Sequence, residues 1–166
     1  HGQMGMFVRA LAYMMSHGAD GLQQVAEDAV LNANYVCARL KEYMSVAYEG
    51  PFMHEVLFDD SFLEGSGVTT LDFAKALIDQ GINPMTIYFP LVVEGAMLTE
   101  PTESESKESL DRFCDILIFL ASKAKEGDKE FFTQAPRLAP RARLDETRAA
   151  RDPRLTWGQL QKNGGA

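Results

Sequence analysis

Between residues 20 and 44 apolar side chains recur every three or four positions, at Leu22, Val25, Ala29, Ala33, Val36 and Leu40. That period gathers them into one stripe of a helix that must bury itself against a second layer. Asp20 stands at the N-cap position, and the helix runs to about Met44. Ahead of it, Met4 to Met15 is apolar on nearly every side, the pattern of a helix surrounded by protein, and His17-Gly18 breaks the chain after it. In an isolated chain that first helix would be exposed.

The rhythm then changes. Val46-Ala47-Tyr48 and Met53 to Phe58, separated by Gly50-Pro51, read as two strands, the second continuing towards Phe62 until Gly65-Ser66-Gly67 ends it. Thr69 or Thr70 caps a helix with Asp72 in its first turn, and Gly81 with Pro84 stops it. Thr86 to Phe89 and Ala96 to Thr99 are further strands. Thr102 with Glu105 spells a capping box before a stripe of Leu110, Phe113, Cys114, Leu117 and Ala121, closed by Lys123, Lys125 and Gly127. A short helical piece follows around Lys129 to Phe132, and Pro136, Pro140 and Pro153 favour extended chain. The expected fold is α+β: a small, mostly antiparallel sheet with helices on one face, preceded by a long helix. Residues 1–44 form linking helices, 45–135 a small α+β domain, and 136–166 an extended basic tail.

With 166 residues, 46% of them hydrophobic, the chain is long enough for one sizeable core. No apolar run approaches the length of a membrane span, which excludes a membrane role at this level. Residues 1–136 carry 9 basic and 21 acidic side chains, whereas 137–166 carry 7 and 3. The acidic body repels phosphates, and the basic tail has no stacking ladder of aromatics, so nucleic acid is not an expected partner. Cys37 and Cys114 fall at apolar helix positions without metal or redox spacing; buried thiols in a reducing compartment, the cytoplasm, are the expectation.

Few residues carry chemistry. His54-Glu55 lies in an apolar strand, where alternation puts His54 with Val56 and Phe58. It reads either as a locally satisfied histidine or as an imidazole reaching towards a neighbouring active site. Thr102, Glu103, Ser104 and Glu105 suit helix capping first and contact with an anionic substrate or cofactor group second, since the carboxylates repel an anion. Arg9, in an apolar helix, needs a carboxylate partner or a water-facing side, with an internal ion pair expected ahead of substrate binding. No H-E-x-x-H motif, cysteine cluster or glycine-rich phosphate loop is present, and Lys75 lacks the context of a Schiff-base lysine.

Several segments occur in the order of one family: H-G-Q-M-G-M-F-V-R-A at the start, V-L-N-A-N-Y in the long helix, M-H-E at 53–55, T-I-Y-F-P at 86–90, E-P-T-E-S-E-S-K at 100–107 and R-L-D-E-T-R-A-A-R near the end. The chain resembles glycine dehydrogenase (decarboxylating), the pyridoxal-phosphate P-protein of the glycine cleavage system, over most of its length. Gln3 and Met4 depart from the family's Asn and Phe. The resemblance implies the C-terminal small domain of a fold-type I pyridoxal-phosphate enzyme, with the cofactor lysine upstream of these residues and no activity in the chain alone. In the intact enzyme the cofactor acts as electron sink while glycine is decarboxylated, and the aminomethyl group passes to the lipoyl arm of H-protein. His54, Thr102, Glu103 and Arg9 become residues near substrate or cofactor, and Arg143 and Arg151 tail contacts. No catalytic residue or metal ligand is assigned. Expected partners are glycine dehydrogenase subunit 1, lipoylated H-protein and a second copy of the chain. The alternatives are a non-catalytic subunit-interaction module, or the small domain of another fold-type I decarboxylase or aminotransferase.

Overall fold

The computed structural model describes residues 1–162. Helix α1 spans Met4–Leu40 but is interrupted at Gly18, whose backbone (φ 65°, ψ −172°) lies in a region that favours glycine. Gly18 makes the break, so Asp20 is not an N-cap; it sits in the first turn beyond the break, where its carboxylate still complements the helix dipole. The first half of α1 exposes Met4, Phe7, Leu11 and Met15, while the second half buries Ala33, Val36, Cys37 and Leu40. Only this second half belongs to the core.

A three-stranded antiparallel sheet follows, in the order β1 (Val56–Phe58), β3 (Met97–Thr99), β2 (Thr86–Ile87). Val56 pairs with Thr99 and Phe58 with Met97, so these side chains enter the core together. The strands are shorter than the aromatic and β-branched runs predict. Val46 makes one bridge to Phe58 and no strand. Residues 53 and 54 precede β1, and the expected continuation to Phe62 is a 3-10 turn, Ser61–Leu63. The α+β class stands, with three strands in place of four.

Helix α2 (Thr70–Asp79) opens with the expected capping box: the Thr69 hydroxyl accepts from the Asp72 amide, and the Asp72 carboxylate accepts from the Thr69 amide. Helix α3 (Lys107–Lys125) does not begin at the Thr102–Glu105 pair. Its N-cap is Ser106, whose hydroxyl accepts from the Ser109 amide. Its buried stripe, Leu110, Cys114, Leu117, Leu120 and Ala121, joins the core where α3 meets α1, α2 and the 3-10 turn. Each fully buried leucine here is worth roughly 1.5–3 kcal/mol. A short α4 (Lys129–Thr133) adds Phe132, stacked on Phe73 of α2 with centroids 6.2 Å apart.

Polar contacts fix α1 to α3. Arg39 pairs with Asp111 at 2.8 Å and Asp115 at 2.7 Å, and the Tyr35 hydroxyl donates to Asp111. Cys37 and Cys114 are free and buried; burial raises both thiols, Cys114 to about 11, and keeps them protonated.

The segment after 136 is not extended throughout. It contains two short helices, α5 (Glu146–Arg151) and α6 (Trp157–Lys162), and positions 163–166 of the expected tail lie outside the described residues.

Candidate functional site

The antiparallel register of β1 and β3 builds the first corner of the site. Because Val56 faces Thr99, the residues just before β1 and just after β3 lie side by side. His54 Nε2 is 3.5 Å from Glu100 Oε1, and Glu55 brings a third ligand atom within 4.8 Å of these two. His54 therefore stands in the loop before the strand, not within it, and its side chain is 59% exposed. His54 is not buried; it stands at the sheet edge with Glu100 as a local partner.

From Glu100 the chain enters a tight turn through Thr102 and Ser104, whose hydroxyls are hydrogen bonded to each other at 2.8 Å. The Glu105 amide donates to the Thr102 carbonyl, and the Glu105 carboxylate accepts from the Ser109 hydroxyl at the start of α3. Thr102 spends its hydroxyl within the loop, which is why the cap falls to Ser106.

Helix α1 holds this turn from the other side. The Tyr13 hydroxyl donates to Glu103 Oε1 at 2.6 Å, and Asn32 Nδ2 donates to the Thr102 carbonyl at 2.9 Å. The Tyr13 hydrogen bond holds the Glu103 carboxyl below its ordinary value, and the same bond raises the Tyr13 phenol. The Tyr13 ring also packs on His17, centroids 4.1 Å apart. Two residues along α1, Asn34 donates to the Phe52 carbonyl at 2.7 Å and accepts from the Phe52 amide at 3.0 Å. One helix thus anchors both the segment leading to His54 and the turn carrying Glu103. Tyr13, Asn32 and Asn34 were not among the expected site residues; the available signal was a pair of amides set into an apolar helix, each needing polar partners.

Arg9 lies one turn before Tyr13 and lines the same shallow surface groove. The expected internal ion pair is absent among the described residues: Arg9 is exposed, and its guanidinium meets only the Met6 sulfur, at 3.8 Å. It is available to a partner outside this chain. Arg143 is committed within the fold. It pairs with Asp72 at 2.7 Å and donates to the Ala135 and Phe132 carbonyls at 2.7 and 2.9 Å. Arg151 is exposed near the end of α5. The structure therefore sets His54, in the loop before β1, beside the turn after β3 that carries Thr102 and Glu103, puts Arg9 beside Tyr13, and assigns Arg143 to the body of the domain.

Fold and site together define a small α+β domain, led by a kinked helix, whose polar groups are displayed on a preformed loop. A family model described as "Glycine dehydrogenase, C-terminal domain" matches residues 25–138, and the chain belongs to that family. It is 72% identical over 158 residues, 95% of its length, to a probable glycine dehydrogenase (decarboxylating) subunit 2 of Caulobacter vibrioides, of which it covers 30%. Proteins of the same description from Staphylococcus saprophyticus and Caldanaerobacter subterraneus subsp. tengcongensis are 48% and 46% identical over 97% and 95% of the chain, which covers 32% of each. The chain spans about a third of the length of these relatives. No helix among the described residues is long and apolar enough to cross a membrane.

Proposed function

We propose that this chain is the C-terminal domain of a cytoplasmic glycine dehydrogenase (decarboxylating) subunit 2, and that its Glu100–Ser106 loop forms one wall of the cleft where glycine is decarboxylated. The observation that carries the reading is the double anchoring by α1: Asn34 fixes the approach to His54 while Asn32 and Tyr13 fix Thr102 and Glu103. Two neighbouring segments held by one helix can present polar groups to a substrate with less ordering cost at the moment of binding.

Pyridoxal phosphate, the cofactor the family implies, needs a lysine amine for its aldehyde and an anion site for its phosphate. This loop does not fit that task. Glu100, Glu103 and Glu105 crowd it with carboxylates, it holds no lysine, and Lys75 belongs to α2. The cofactor would be held by the remainder of the longer subunit. This domain's own residues orient and exclude water: His54, paired with Glu100, offers an imidazole at the cleft edge, and Glu103, kept ionised by Tyr13, offers a fixed negative charge.

The test is glycine-dependent carbon dioxide release by the full-length subunit assembled with subunit 1 and lipoylated H-protein. His54→Ala should lower kcat about tenfold to hundredfold with unchanged thermal stability. Wild-type turnover in that variant would sink the proposed role of His54.

The exposed apolar flank of Met4, Phe7, Leu11 and Met15 favours a second reading, a non-catalytic module that docks on subunit 1 or on another copy of itself. Light scattering after size exclusion distinguishes them. A monomer that ignores subunit 1 contradicts the module.

A further inference from the structure

We propose that His54, Glu55 and Glu100 form a binding site for a divalent cation of the zinc class. One ligand atom from each of the three side chains lies within 4.8 Å of the other two. His54 Nε2 is 3.5 Å from Glu100 Oε1. Zinc bonds of about 2.1 Å at tetrahedral angles put neighbouring ligand atoms roughly 3.4 Å apart, so this pair already stands at the separation that zinc imposes.

The convergence has a structural cause. In a regular strand, consecutive side chains point to opposite faces, which would separate His54 from Glu55. The chain bends at residues 53 and 54 before β1 begins, and the two side chains meet on one side of it. Asn34 fixes the backbone ahead of the bend through the Phe52 amide and carbonyl, and the pairing of Val56 with Thr99 carries Glu100 alongside. Both segments are thus held in place without a metal.

Charge and donor type select the ion. Among the described residues neither Glu55 nor Glu100 pairs with a lysine or arginine, and the single ion pair of either is Glu100 with His54. Two carboxylates held this close repel each other, and a dication offsets both charges. The imidazole favours zinc over magnesium or calcium, which take oxygen donors. Three protein ligands leave a fourth position for water. The site shares His54 with the proposed cleft, but cation binding by the domain does not rest on the decarboxylation reading.

The test is calorimetric titration of the 166-residue chain with zinc chloride, and separately with magnesium chloride. Zinc should bind with one-to-one stoichiometry and Kd about 10 µM, and magnesium should give no binding at about 1 mM. His54→Gln and Glu100→Gln, both at exposed positions, should each weaken zinc about tenfold or more. The chain has three histidines, so nitrogen-15 NMR of their rings locates the ion. Zinc should move the His54 Nε2 signal and leave His1 and His17 in place. Equal affinity for zinc and magnesium, unchanged zinc affinity in His54→Gln or Glu100→Gln, or a zinc shift at His1 or His17 in place of His54 would each overturn the proposal.

Discussion

The Arg143 guanidinium lies 2.7 Å from the Asp72 carboxylate and also bonds the carbonyls of Phe132 and Ala135, so a single tail residue ties the start of α2 to the end of α4. Asp72 is only 7% exposed and already serves the α2 capping box. Arg143→Ala leaves a buried carboxylate without its cation and two carbonyls without a donor. A loss of about 1–3 kcal/mol is expected, seen as a lower urea midpoint with an unchanged slope. Arg143→Lys should recover only part of it, because an ammonium cannot span three acceptors.

The same pair sets the acid limit of the fold. Burial works to raise the Asp72 carboxyl, but hydrogen bonds from the Thr69 hydroxyl and amide and from Arg143 outweigh it and hold the group below its ordinary value. A depressed folded-state pKa contributes stability that is complete above the unfolded value, about pH 4, and is lost as pH falls through the folded value. Asp72→Asn should flatten the stability profile below about pH 4 while lowering stability at neutrality. Identical acid profiles for variant and parent would contradict this assignment.

Tyr13 and Glu103 join the first half of α1 to the loop through one exposed hydrogen bond of 2.6 Å. Tyr13→Phe should let the Glu103 carboxyl titrate nearer the ordinary glutamate value, with little change in global unfolding. The measurement is a carboxyl carbon NMR titration. A Glu103 titration that does not move would show that the contact is not formed in solution.

Gly95 permits a close approach that no other residue allows. Its φ is 59°, and an added Cβ would lie 2.0 Å from Asp60 Cγ. The Gly95 carbonyl also accepts from the buried Thr70 hydroxyl at 3.0 Å. Gly95→Ala is expected to cost about 2–4 kcal/mol by combining backbone strain with a clash. Gly65→Ala, at φ 76° with nothing near its Cβ, carries the strain alone and should cost less. Equal thermal shifts in the two variants would remove the clash from the account.

Asn34 holds the Phe52 backbone through both its amide nitrogen and its oxygen. Asn34→Leu should speed hydrogen exchange at Phe52 and in the loop before β1, while the amides of α3 stay protected. Unchanged exchange at Phe52 would mean that the loop is held by its packing rather than by Asn34.

By itself the sequence determined the class of fold and the long helical stripes, though not α5 and α6. Leu22 to Leu40 and Leu110 to Ala121 carry their burial in their spacing, and Thr69 with Asp72 spells a cap that forms, because these signals depend on residues within one or two turns. Tertiary structure decided the rest. Thr102 and Glu105 satisfy the same capping pattern as Thr69 and Asp72, yet the Thr102 carbonyl accepts from Asn32, 70 positions away, and its hydroxyl bonds Ser104, so Ser106 takes the cap. Strand lengths depended on a partner, since only the residues that pair with Met97 to Thr99 gain a ladder. The gathering of His54, Glu100, Glu103 and Tyr13 was equally illegible: a kink at Gly18 and a register of three pairs brought them together, and neither is a property of any local stretch of chain.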